Sequence, residues 1–234
     1  MPPAGPNTTS MCACKPGAPL AASTTKKNIL IIGDSLSLGY TPIVTANLSD
    51  IALVQHAPWG GDGGAEEAAY LESCLDYWLA SPSGLPLVPD LLWFNSGMHN
   101  YATGTPGNGT VPGQSGNSTA ESYANPLARV TARLVAWAAT NKVKLIYALT
   151  TPYLNDASID ATITGTLNVA ARGIMASAGI QTVDLHTPII DKCGPVPQAS
   201  CFNETGCWSP HCPPGYRCVA HPAINALKLP QSCL

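Results

Sequence analysis

Charged residues are scarce in this sequence of 234 residues: they make up 11% of it, and the formal net charge is −3. Lysine and arginine nowhere form a run. Phosphate backbones and anionic lipid surfaces are attracted by clustered basic residues, because only a cluster produces a strong positive potential. The sequence therefore predicts neither nucleic acid nor an anionic membrane as a partner.

Long apolar runs are also missing. Apolar stretches such as 29–32 and 143–149, the second interrupted by Lys144, fall far short of the ~20 residues that cross a bilayer. No charged segment followed by an apolar one, as in a signal peptide, comes after Met1. Hydrophobic residues nevertheless make up 45% of the chain, and a chain of this length buries roughly 70% of its unfolded surface. We expect a soluble protein with one sizeable core.

The nine cysteines lack the spacing of a zinc site, since they form no paired Cys-x-x-Cys motifs and no histidine pair has zinc-finger spacing. Their number favours disulfides formed in an oxidising compartment. Short loops close most easily, so the simplest arrangement pairs Cys193–Cys201, Cys207–Cys212 and Cys218–Cys233, and bonds Cys74 to Cys12 or Cys14. Glycosylation sequons, which also suggest a secreted glycoprotein, occur at Asn7, Asn47, Asn108, Asn117 and Asn203.

The chain divides into a Pro-, Ser- and Thr-rich tether over residues 1–27 and a domain over 28–234, whose last part, 193–234, is rich in cysteine. Short apolar runs alternate with helical patterns along the domain. The predicted strands are 28–32, 51–55, 90–94, 143–150 and 180–185, and the predicted helices are 36–48, 65–80, 120–140 and 161–178. Such alternation predicts a parallel sheet covered by helices on both faces. Functional groups in such sheets gather beyond the carboxyl ends of the strands.

The first predicted strand ends at Ile32 and is followed by Gly33-Asp34-Ser35. A serine at the start of a helix lies beside free backbone N–H groups, which stabilise a developing oxyanion. Asp34 and Ser35 could instead only cap the helix. The segment resembles the first motif of the GDSL/SGNH hydrolase family, whose third residue is the nucleophilic serine. The Gly-x-Ser-x-Gly motif of α/β-hydrolases is absent.

Two further motifs of that family supply oxyanion donors. Gly60-Gly61 after the second strand resembles the first of them, and Gly61 rather than Gly60 is our candidate, although glycines there can simply form a tight turn. The second motif usually reads Gly-x-Asn-Asp, whereas this chain has Gly97-Met98-His99-Asn100. The side chain of either His99 or Asn100 could donate the hydrogen bond, or His99 could be structural.

The last motif of the family, Asp-x-x-His-Pro, is incomplete here. His211 corresponds to the catalytic histidine in our preferred alignment, with Trp208 in place of the acid; His221, followed by Pro222, is the alternative. A main-chain carbonyl can orient a histidine without a carboxylate, so we expect the carbonyl of Trp208, or one beside it, to do so. Asp184 is expected to have a structural role.

The resemblance implies a flavodoxin-like three-layer α/β/α sandwich, the SGNH hydrolase fold. It also implies a serine esterase that works without metal or cofactor, in which His211 activates Ser35 and the main-chain N–H groups of Ser35 and Gly61 bind the oxyanion. A small-molecule or glycan ester is the expected substrate, and a carbohydrate O-acetylesterase is favoured over a lipase or thioesterase. The alternative from another class is an inactive glycan-binding or cell-surface module.

Overall fold

The computed structural model describes residues 21–57, 65, 67–79, 88–100, 120–153, 156–198 and 201. Its centre is a parallel five-stranded sheet with the strand order β2-β1-β3-β4-β5. This order is that of flavodoxin-like folds, in which the chain reverses its direction of winding beside β1. The strands are β1 (Lys27–Ile32), β2 (Ala52–Ala57), β3 (Leu91–Phe94), β4 (Lys144–Ala148) and β5 (Gln181–Val183).

Helices cover both faces of the sheet. They are α1 (Ser35–Leu48), α2 (Ala68–Leu79), α3 (Ala120–Asn141), α4 (Ala157–Thr162), α5 (Asn168–Ser177) and α6 (Thr187–Cys193), with a π-helical segment over Ile163–Leu167 between α4 and α5. Residues of α2, α3 and α5 pack on one face, and residues of α1 and α6 pack on the other. The three-layer α/β/α sandwich predicted from the sequence is confirmed.

The central strand β1 shows why the sheet is buried on both sides. Ile29 to Ile32 are at most 1% exposed, and alternate residues contribute to the two hydrophobic clusters on opposite faces. Complete burial of one such side chain contributes about 1.5–3 kcal/mol. A continuous apolar run of this kind is what a central parallel strand requires.

Among the described elements, every strand was predicted from the sequence, and one helix, α6, was not. The stretch predicted as a helix over 161–178 begins earlier, at Ala157, and contains the π-helical segment. The missed helix α6 is short, and its first turn contains Pro188. Before β1, Ala21 forms two hydrogen bonds of 2.7 Å with the side chain of Gln55 on the edge strand β2, so the chain is attached to the sheet six residues before β1 begins.

Two cysteine predictions fall on described residues. A disulfide joins Cys193, the last residue of α6, to Cys201, with 6.0 Å between their Cα atoms. Cys74 on α2 is also disulfide-bonded, and its pairing with Cys12 or Cys14 stays a prediction. The remaining cysteines lie outside the described residues. So do the sequons other than that of Asn47, which is exposed on α1. None of the helices described has both the length and the apolar character that a membrane span needs.

Candidate active site

The turn between β1 and α1 presents Ser35 at the carboxyl edge of the sheet. β1 ends at Ile32, and Ser35 is the first residue of α1. Asp34 caps the helix, because its Oδ1 accepts hydrogen bonds from the N–H groups of Leu36 (3.1 Å) and Ser37 (3.3 Å). Ser35 is exposed while its neighbours on both sides are buried. Its hydroxyl therefore lies accessible beside the positive end of the helix.

Close packing holds this turn against the neighbouring strand ends. A Cβ on Gly33 would lie 2.5 Å from the Oγ of Ser37 and 2.6 Å from the Oδ1 of Asn95, so only glycine fits. The carbonyl of Gly33 accepts a hydrogen bond from the N–H of Ala65 (3.2 Å), and the carbonyl of Ile32 accepts one from the N–H of Asn95 (2.9 Å). The strand ends thus fix where the turn places Ser35.

Asp34 is fully buried, with its pKa raised above the ordinary value of 3.8. Burial is the largest cause; the charge of His99 and the hydrogen bonds from Ser37 and Leu36 act in the opposite direction. Among the described side chains, the Oδ2 of Asp34 is one of the buried oxygens without a hydrogen-bond partner. A carboxyl in this position serves as a helix cap and is out of reach of solvent and substrate.

The turn after β3 holds both candidates for the third oxyanion donor. Gly97 has a φ of +125° and lies against the ring of Tyr123, where a Cβ would approach to 2.7 Å. The N–H of Asn100 donates to the carbonyl of Gly97 (2.8 Å). Asn100 is 2% exposed, and its Oδ1 accepts from the N–H of Ala68 at the start of α2 (2.9 Å). His99 is only half-buried, and its charge acts on Asp34.

Polar groups also meet near the ends of β4 and β5. The Nε2 of His186 lies 3.0 and 3.1 Å from the two carboxylate oxygens of Asp160. The carboxylate of Asp184 instead accepts from the N–H groups of His186 (2.8 Å) and Thr187 (3.1 Å) and from the hydroxyl of Thr187 (2.9 Å). It also pairs with Arg172 (3.1 Å). Asp184 thus binds the N–H groups at the start of α6.

The fold of this protein is similar to that of several solved structures. No family model matches, and no curated protein matches. Among solved structures, an acetylxylan esterase from Geobacillus stearothermophilus has a TM-score of 0.64 at 11% identity, over 89% of this chain and 98% of the other. A putative lipolytic protein of the G-D-S-L family from Desulfitobacterium hafniense DCB-2 has a TM-score of 0.54 at 18% identity, over 86% and 100%. A putative acylhydrolase from Bacteroides fragilis has 0.55 at 16%, over 88% and 90%.

This chain has the GDSL/SGNH hydrolase fold. The fold accounts for the position of Ser35, because the motif containing it directly follows the first strand of the sheet. Of the other residues predicted for the site, the structure brings the turn containing His99 and Asn100 to the same edge. Gly60, Gly61, Trp208, His211 and His221 lie outside the described residues.

Two polar pairs at this edge of the SGNH fold were not found from the sequence. The Oγ of Ser37 lies 2.6 Å from the Nε2 of His56 on β2, and His186 pairs with Asp160 rather than with Asp184. Because both pairs join residues from different elements, no local sequence motif predicts them. Within the described parts of the chain, His, Cys, Asp and Glu side chains nowhere gather in the groups of three or more that could hold a metal ion.

Proposed function

We propose that this protein is a serine ester hydrolase with Ser35 as its nucleophile. The observation that carries the proposal is the exposed position of Ser35, on the first residue of a helix whose N-terminus is capped by a buried aspartate. Support also comes from the structural neighbours, which include acetylxylan esterases. In one of them, the catalytic mutants replace a serine and a histidine.

The proposed reaction begins when His211 removes the proton from the Ser35 hydroxyl. The Ser35 oxygen attacks the ester carbonyl, and collapse of the tetrahedral intermediate expels the alcohol, which takes the proton from His211. Water, activated by the same histidine, then hydrolyses the acyl-enzyme and releases the acid. The N–H groups of Ser35 and Gly61 hold the oxyanion in both steps.

For the third oxyanion donor we propose His99 rather than Asn100. Asn100 is 2% exposed and its Oδ1 accepts from the N–H of Ala68, so its side chain is buried against the start of α2 rather than presented to a substrate. His99 is half-buried in the same turn, and an imidazole N–H is a suitable donor. In this arrangement His99 takes the role of the family asparagine, and Asn100 takes a structural one.

For the orientation of His211 we propose the main-chain carbonyl of Trp208, or one beside it, in place of a carboxylate. Asp184 supports this proposal because its carboxylate is already engaged with Thr187, His186 and Arg172. Asp160 is engaged as well, with His186 and with the N–H of Tyr153 (3.1 Å). Both acids therefore have structural partners.

As substrate we propose an O-acetylated carbohydrate, processed outside the cell. The acetylxylan esterases among the neighbours support the acetyl group and the glycan. The disulfide between Cys193 and Cys201 and the number of sequons support an oxidising, extracellular location, where disulfides persist.

Hydrolysis of p-nitrophenyl acetate, and acetate release from acetylated xylan, test the proposal. We expect Ser35→Ala to lower kcat/KM at least about a thousandfold without changing the melting temperature, since a nucleophile acts in the reaction rather than in packing. Ser177→Ala, which replaces another exposed serine on α5, should leave the rate unchanged. Equal hydrolysis by wild type and Ser35→Ala would refute the assignment of Ser35, and hydrolysis by neither would favour the non-catalytic glycan-binding module.

A further inference from the structure

A buried histidine on the neighbouring strand is joined to the nucleophile turn by short hydrogen bonds. His56 is the fifth residue of β2, pairs in register with Ile31 of β1 and is 1% exposed. Its Nε2 lies 2.6 Å from the Oγ of Ser37 in the first turn of α1. The same Oγ lies 2.6 Å from the main-chain carbonyl of Asp34. Strand, helix and turn are therefore connected through one hydroxyl.

The number of protons determines the direction of these bonds. A serine hydroxyl has one proton to donate, and a carbonyl oxygen can only accept. When Ser37 donates to the carbonyl of Asp34, the contact with His56 must be a hydrogen bond donated by the imidazole Nε2–H. The chain of hydrogen bonds then runs from His56 to Ser37 to the carbonyl of Asp34, with one proton in each of the two bonds. The reverse arrangement would leave the short contact between Ser37 and Asp34 without a proton.

The carbonyl that receives this chain belongs to the peptide unit that carries the Ser35 N–H. A trans peptide is planar, so its C=O and N–H point in opposite directions and turn together. Ser37, together with the N–H of Leu38 at 3.1 Å, holds the C=O end. The Ser35 N–H is thereby aimed out of the helix N-terminus, where the oxyanion is proposed to form. A hydrogen bond to the C=O also polarises the peptide and makes its N–H a stronger donor.

We propose that His56 is a positioning residue which, through Ser37, orients and polarises the Ser35 N–H toward the oxyanion. The inference rests on the proposed esterase function and adds to it a part of the oxyanion hole that comes from β2. Gly33 makes it possible, because a side chain there would collide with the Oγ of Ser37. His56 does not touch the substrate, since it is buried behind the turn.

The expected effect is smaller than the loss of a donor. Removing one oxyanion donor costs about 10²–10³ in kcat, whereas here the donor stays but is less well held. For hydrolysis of p-nitrophenyl acetate we expect His56→Leu and Ser37→Ala each to lower kcat about tenfold with KM changed less than about twofold, as for an interaction used in the transition state. The double variant should be little worse than either single one, because the two residues act as one chain.

Two variants separate positioning from general stability. His56→Gln restores an N–H donor at a similar reach, so it should recover most of the kcat lost in His56→Leu. Thr41→Val removes another buried hydroxyl of α1, which donates to the carbonyl of Ser37 at 2.6 Å, and should lower stability without lowering kcat. If His56→Leu does not fold, Ser37→Ala carries the test. Unchanged kcat in Ser37→Ala, or an equal loss in Thr41→Val, would overturn the inference.

A spectroscopic measurement tests the same chain without depending on hydrolysis. Long-range ¹H–¹⁵N correlation spectra of the wild-type protein should show His56 protonated at Nε2, and Ser37→Ala should shift the amide proton of Ser35 while Thr41→Val does not. A proton on Nδ1 alone, or an unmoved Ser35 amide, would refute the positioning role. Inactive wild-type protein with these spectra as expected would instead refute the esterase proposal alone.

Discussion

Replacing Gly33 by alanine introduces a methyl group into the most crowded point of the nucleophile turn. The added Cβ would lie 2.5 Å from the Oγ of Ser37, 2.6 Å from the Oδ1 of Asn95 and 2.8 Å from the Cβ of Ser37. Favourable contacts between heavy atoms occur at about 3.5–4.0 Å, so each of these distances is too short by about 1 Å. The neighbours must move, and both are buried.

The expected losses of stability and of kcat in Gly33→Ala depend on the contacts of these neighbours. Overpacking a buried site costs about 1–3 kcal/mol, and we expect the upper half of that range because Ser37 is held by Asp34 and His56. Movement of Ser37 also displaces the helix start that carries Ser35. A misplacement of about 1 Å can lower the rate about a hundredfold, so we expect a loss of kcat between tenfold and a hundredfold.

Urea unfolding and p-nitrophenyl acetate kinetics measure the two effects. Gly173→Ala is the matched control, because a Cβ there meets nothing within 4 Å in the middle of α5. Alanine in a helix interior is more favourable than glycine by about 0.5–1 kcal/mol, so this control should be slightly more stable and fully active. A Gly33→Ala protein as stable and active as the wild type would refute the packing argument.

Further substitutions distinguish the proposed roles. His99→Ala should lower kcat by about 10²-fold as a lost oxyanion donor, measured with p-nitrophenyl acetate; an unchanged kcat would leave His99 structural. His211→Ala should be as damaging as Ser35→Ala, and if His221→Ala is the inactivating change instead, the alignment of the last motif is wrong. Asp184→Asn should cost less than about tenfold in rate, but it should lower stability near neutral pH. Burial tends to raise the pKa of Asp184, but the bonds from Thr187 and His186 and the charge of Arg172 lower it below 3.8. The stability that the carboxylate adds is therefore present above that pH and lost as the pH falls through the lowered pKa. Unfolding curves of both proteins should thus converge in strong acid, and a difference that persists there would contradict this role.

The sheet could be predicted from the sequence because its strands are buried on both faces. Runs such as 29–32 and 91–94 are short and continuously apolar, which is typical of strands in a parallel sheet covered on both faces. Helix α1 was predicted over 36–48 from its helical pattern, and Asp34, a preferred capping residue, is its N-cap in the structure. The position of Ser35 at the edge of the sheet then followed from the topology alone.

The polar pairs could not be predicted because their members are far apart in the chain. His56 lies directly after the predicted strand 51–55, and only the parallel pairing of β1 with β2 brings it to Ser37. His186 stands two residues from Asp184, but its side chain contacts Asp160, 26 residues away along the chain. The spacing of residues within a short segment does not predict contacts with side chains on other elements of the fold.

The proposal of His99 rather than Asn100 as the third oxyanion donor also rests on the structure. Both are polar residues in one turn, and either could donate to an oxyanion. The difference is the N-terminus of α2, which requires an acceptor for the N–H of Ala68 and finds it in Asn100. Helix capping by a residue 32 positions away along the chain leaves no trace in a local motif.

The covalent step is tested most directly by a phosphonate ester that forms a stable adduct with an activated serine. The protein is treated with a p-nitrophenyl phosphonate, digested and mapped by mass spectrometry, while hydrolysis of p-nitrophenyl acetate is followed in parallel. We predict one adduct per chain, located on Ser35, with activity lost in proportion to labelling. An adduct on another serine, or full labelling of Ser35 with activity retained, would contradict the assignment of Ser35 as the nucleophile.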